Sequence, residues 1–146
     1  MEGAGRDQEE VRKLSVELRY FEQTAETLQE RLGMMNAAVS DLTYANATLE
    51  AMEKEKTPAE VLMPIGGGNF VKAKLTGADK IIVGMGAGVS IEKTLTEAKE
   101  IVKERIEQIE STRVQAQQQL SQIVDRINKG RTRMETLLAG MQEGKQ

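Results

Sequence analysis

With 146 residues, 29% of them charged and only 3% aromatic, the chain holds too little bulky apolar material for a large globular core. Cysteine and histidine are both absent, which removes disulfides, thiolate metal sites and the commonest general base, so no enzyme, metal or cofactor is expected. A net charge of −3 argues against nucleic acid as the main partner, and no stretch approaches about eighteen uninterrupted apolar residues, so a soluble cytoplasmic protein without a membrane partner is expected.

The first predicted element is a helix from about Asp7 to about Glu55. Val11, Leu18, Ala25, Leu32, Val39, Asn46 and Glu53 recur every seven residues, and Leu14, Phe21, Leu28, Met35, Leu42 and Leu49 lie three residues further on. Only Asn46 and Glu53 break the apolar run. A sustained 3,4 spacing is a coiled-coil seam, because each helix buries one narrow stripe. Gly33 is a weak spot, costing roughly 1 kcal/mol relative to Ala. Lys56, Thr57 and Pro58 end the pattern, since proline lacks the amide and disfavours helix before it.

From Val61 the period changes to two. Val61 to Ile65 reads as a strand with Pro64 at an edge or bulge, Gly66 to Asn69 as a turn, and Phe70 to Leu75 as the returning strand. Thr76 to Lys80 is a second turn. Ile81, Val83, Met85, Ala87, Val89 and Ile91 then alternate with Ile82, Gly84, Gly86, Gly88, Ser90 and Glu92, and a bend within Gly84 to Gly88 makes a second hairpin. That apolar face is expected to lack cover within the chain. Short hairpins are marginal alone and their edges invite pairing, so several chains are expected to share a sheet or barrel.

Thr94 with Glu97 forms a capping box, starting the second helix near Leu95. The ladder returns with Leu95, Val102, Ile109, Ala116, Ile123, Gly130 and Leu137, interleaved with Lys99, Ile106, Arg113, Leu120, Ile127, Met134 and Met141, and reaches about Met141. Gly130 is a point where the seam is expected to loosen. At about 1.5 Å per residue each helix would be on the order of 70 Å long. Equal helices joined by a short segment fold back antiparallel most economically, in a register whose paired numbers sum to roughly 145. Asp7, Glu9 and Glu10 would then face Lys129, Arg131 and Arg133, unless these are simply solvated faces. The division is a helix over 1–56, an oligomerisation segment over 57–93 and a helix over 94–146. The fold class is thus α+β but mainly α: a long antiparallel two-helix coiled coil joined by two small β-hairpins that assemble between subunits into a shared sheet or β-barrel.

Neither glycine cluster is a phosphate loop. Gly84, Gly86 and Gly88 have the wrong spacing and open no helix, and no Gly-Lys-Ser/Thr follows Gly66 to Gly68. The basic run from Arg126 to Arg133 lacks the interleaved aromatics of a nucleic-acid platform.

The central run Val61-Leu62-Met63-Pro64-Ile65-Gly66-Gly67-Gly68-Asn69-Phe70-Val71-Lys72-Ala73, with Val83 to Thr94, closely resembles the α class of archaeal prefoldin subunits. The likeness spans nearly the whole chain, and the two-hairpin content separates the α class from the one-hairpin β class. It implies an ATP-independent holdase in which two α and four β-class subunits build a double β-barrel bearing six coiled-coil arms. The arm tips would hold non-native client proteins and pass them to a group II chaperonin. Carried over, client contact falls on Val11, Leu14 and Leu18 of one helix and Met134, Leu137, Leu138 and Met141 of the other. Each of these is otherwise an ordinary seam residue, and consecutive leucines argue that Leu137, Leu138 and Met141 lean toward exposure. Subunit assembly falls on Val61, Ile65, Phe70, Val71, Ile81, Val83, Met85, Val89 and Ile91. The competing reading is a structural coiled-coil scaffold that binds one defined partner.

Overall fold

The computed structural model describes residues 2–55, 58–77 and 79–144. The elements run α1 (Glu2–Lys54), β1 (Ala59–Gly66), β2 (Asn69–Leu75), β3 (Lys80–Gly86), β4 (Val89–Thr94) and α2 (Leu95–Glu143), so the chain is mainly helical with two small antiparallel hairpins between two long helices. Helix α1 begins earlier than Asp7 and passes through Gly3 and Gly5, with Glu2 in its first turn where a carboxylate complements the helix dipole. It ends at Lys54; Lys56 and Thr57 of the expected break, and Ala78 of the second turn, lie outside the described residues.

Packing divides the chain into two units. One comprises Met1–Ala37 with Glu110–Gln146, the other Ala38–Ile109. In the first, the ladder residues make the core: Leu18, Ala25, Leu28 and Leu32 of α1 bury against Ala116, Leu120 and Ile127 of α2, flanked by Phe21, Met35, Ile123 and Met134. Arg133 donates to Glu10 at 2.9 and 3.2 Å, as the antiparallel register anticipates, whereas Arg131 reaches Glu22 at 2.8 Å rather than the Asp7–Glu10 cluster. Gly130 corrects an expectation. A Cβ there would stand 2.8 Å from Leu18 Cδ2, so the missing side chain is the space that Leu18 fills, and the seam closes rather than loosens.

In the second unit, Leu49 of α1 and Ala98 and Val102 of α2 enclose Val83 of β3, with Leu42, Ile81, Leu95, Ile101 and Ile106 around them. Glu53 and Lys99, two of the polar breaks in the ladders, pair with each other at 2.7 Å. The capping box forms as read: the Glu97 amide donates to Thr94 Oγ1 at 3.1 Å and the Thr94 hydroxyl donates to the Glu97 carboxylate at 3.0 Å.

The two hairpins share one design. Strand β1 pairs β2 with Val61 opposite Ala73, Met63 opposite Val71 and Pro64 opposite Phe70. Strand β3 pairs β4 with Ile81 opposite Lys93, Ile82 opposite Glu92 and Val83 opposite Ile91. Each register slips just before the turn, skipping Ile65 in one hairpin and Met85 in the other. Gly67 and Gly68 have φ of 60° and 78°, and Ala87 and Gly88 have 51° and 76°. Two consecutive positive φ values define a type I′ turn, whose twist matches that of the strands. Ala87 therefore belongs to a turn and not to the apolar face on which strict alternation placed it.

Candidate functional site

The face of β3 presented to the helices is not bare. Val83 is 7% exposed and Ile81 packs beside it, so for these two the expected lack of intrachain cover is wrong. The reason is geometric: β4 runs directly into α2 at Leu95, and the Leu95 amide donates to the Asp79 carbonyl at 3.3 Å, which draws the hairpin onto the helices that follow and precede it. Arg105 adds an anchor that the heptad pattern does not mark. Its guanidinium donates to the Gly84 carbonyl at 2.8 Å and reaches Met85 Sδ at 3.6 Å.

Most of the remaining apolar residues of the β segment are exposed. Val61, Met63 and Val71 lie on one face of the first hairpin, and Leu62, Pro64 and Phe70 lie on the other. All are exposed, as is Ile65 at the slip. In the second hairpin Ile82, on the face opposite Val83, is 77% exposed, and Met85, Val89 and Ile91 are exposed toward the turn. Leu62, Met63 and Ile82 were not among the sequence candidates: a period of two assigns only one apolar face to a half-buried strand, which leaves out Leu62 and Ile82, whereas Met63 shares the face of Val61 and Val71 and carried the same signal as they did. What such a surface does is physical rather than chemical: it buries apolar area against another surface and pairs open strand edges. Among the described residues, no group of three or more metal-ligating side chains stands close enough to hold a metal ion, and no helix is long and apolar enough to cross a membrane.

The residues near the helix ends form a second candidate surface. Val11, Leu14, Met134 and Met141 are half-buried, and Met134 packs against the interhelical core. Leu137 is only 6% exposed, while its neighbour Leu138 is 44% exposed. Consecutive leucines cannot both face one seam, and the ladder position wins, so Leu137 belongs to the core and Leu138 to the surface. The bidentate contact from Arg133 holds the Glu10 carboxyl below its usual range and raises Arg133 in turn.

Comparison with known proteins agrees across sequence and fold. The profile of the family described as Prefoldin subunit matches residues 21–140. A prefoldin subunit alpha of Methanococcoides burtonii is 32% identical over 92% of this chain and 90% of its own length. Another from Methanosarcina mazei is 32% identical over 93% of this chain and 95% of its own. One from Methanosarcina barkeri is 37% identical over 70% and 73%. Among solved structures, the fold matches a cryo-EM structure of filamentous PFD from Methanocaldococcus jannaschii with a TM-score of 0.66, at 24% identity, over 76% of this chain and 92% of that one. The chain belongs to the prefoldin family, in its α class.

Proposed function

We propose that the chain is a subunit of a hetero-oligomeric, ATP-independent holdase. Two copies join four β-class subunits through the hairpins, whose strands complete an intersubunit β-barrel. Non-native proteins are held at the helix ends and passed to a group II chaperonin, in the cytoplasm. The observation that carries this reading is the first hairpin, apolar on both faces and exposed on both. A patch of that kind on a soluble chain marks a protein interface. Flexible methionines at the helix ends, Met134 and Met141, suit contact with varied apolar partners.

Aggregation of several unrelated denatured proteins, with and without the assembled oligomer, tests the proposal. Protection of all of them supports a holdase, whereas protection of one defined partner alone supports a scaffold. Deleting 1–14 together with 134–146 removes the outermost helix-end surface; protection should fall while the number of subunits in the oligomer stays the same. ATP at millimolar concentration should change neither protection nor melting, and a reproducible shift would overturn the nucleotide-free reading.

A further inference from the structure

A groove of about 350 Å³ opens on the helix pair beside Gly130. Its floor is apolar, made by Leu14, Leu18 and Phe21 of α1. Its rim is basic, with Arg126, Lys129 and Arg133 of α2 against a single carboxylate, Glu17. We propose that this groove binds extended segments of non-native proteins in which an aspartate or glutamate stands next to a bulky apolar side chain. The inference rests on the client-holding role proposed above and gives it a chemical preference.

Charge complementarity supports that occupant. Helix α2 from Arg126 to Arg133 carries Arg126, Lys129, Arg131 and Arg133 and no carboxylate. Lys129 pairs with Asp125 at 2.9 Å in a solvent-exposed and therefore weak contact, whereas Arg133 is held by Glu10 at 2.9 and 3.2 Å. Arg126 makes no ion pair with any described carboxylate. Its guanidinium carbon lies 5.6 Å from the centroid of the Phe21 ring, which itself stands 5.8 Å from that of Tyr20. A guanidinium over an aromatic face keeps N–H groups available for a carboxylate, to which it donates in a planar fork. The aromatics missing from the basic run in sequence are thus supplied by the facing helix. An apolar side chain of the bound segment would lie on Leu14 and Phe21 while its acidic neighbour meets Arg126.

Fluorescence anisotropy of the full chain with two labelled peptides tests this, one with the core Phe-Asp-Leu-Asp-Phe and one with Phe-Lys-Leu-Lys-Phe. The acidic peptide should bind roughly tenfold more tightly, about 1.4 kcal/mol, and the preference should shrink at about 0.5 M salt, where screening is strong. Arg126→Gln should remove most of the preference and Arg126→Glu should reverse it. Arg126 is exposed, so the helical circular dichroism should not change. Equal affinity for the two peptides, an unaltered preference in both variants, or tighter binding of a single-stranded oligonucleotide of the same charge would overturn the inference. If the wild type lacks a charge preference yet still suppresses aggregation, the groove assignment alone fails. If it binds neither peptide and suppresses nothing, the holdase reading fails with it.

Discussion

The two hairpins have the same type of turn, the same slip before the turn and ladders of similar length, yet opposite surroundings. Val83 in the second is buried against Leu49, Ala98 and Val102, while Met63, its counterpart two residues before the slip, is 51% exposed. Backbone geometry therefore does not decide burial here. Connection does: β4 is continuous with α2, and Arg105 ties the Gly84 carbonyl to that helix, so the second hairpin folds onto its own chain. Among the described residues nothing comparable holds the first beyond its base, where Ala59, Val61 and Leu75 stand beside Thr48, Ala51 and Met52 of α1. One hairpin is part of the subunit's own core, and the other is left exposed in the single chain.

The largest effect that separates them is a buried charge. Val83→Lys places an ammonium among Leu49, Ala98 and Val102 and should destabilise the isolated chain by several kcal/mol in denaturant titration. Met63→Lys should leave that titration within about 0.5 kcal/mol of wild type, as exposed substitutions do, and should act only on the oligomeric mass. Equal losses from both would break the comparison. Arg105→Ala comes next. It removes a charged donor from Gly84, a bond worth about 1–2 kcal/mol in a half-exposed setting, and should speed amide exchange in β3 and β4 while leaving β1 and β2 unchanged.

The turns sharpen the same comparison at smaller scale. Ala87 holds a left-handed conformation at φ 51° where the first hairpin has Gly67 at 60°. A side chain there costs roughly 1 kcal/mol, so Ala87→Gly should raise stability by up to that amount and Gly67→Ala should lower the first hairpin's by as much. Smallest is the acid response. The Thr94 hydroxyl, then Lys93, hold the Glu97 carboxyl below its usual value, and Arg133 does so for Glu10. Depressed carboxylates contribute stability that is complete above the ordinary value near 4.5 and is lost as pH falls through the lower folded value. Thr94→Ala should therefore make the melting temperature fall less steeply with acid than in the wild type.

Much of this was legible in the sequence, and what was not has identifiable causes. The ladders located the buried helix positions from Leu18 to Ile127, and Thr94 with Glu97 located the start of α2, because both signals are local and periodic. The bend between Gly84 and Gly88 was likewise carried by glycines that tolerate positive φ. The cover on Ile81 and Val83 was missed because alternation states which side of a strand is apolar and not what lies against it. Leu137 and Gly130 were misjudged for a related reason: whether a seam residue is buried, or a glycine is filled, depends on the facing helix. Arg105 and the placement of Arg126 over Phe21 join residues far apart in the chain, and no spacing rule marks either pair.

In the proposed assembly the first hairpin, exposed in the single chain, is covered by partner subunits. Amide hydrogen exchange of the full chain, alone and co-assembled with β-class subunits, tests it most directly. Alone, Ile81 to Val83 should be protected and Glu60 to Lys74 should exchange quickly; on assembly, Glu60 to Lys74 should gain much more protection than Ile81 to Val83. Slow exchange of Glu60 to Lys74 in the single chain, or no gain there on assembly, would mean that the first hairpin is not the surface that partner subunits cover.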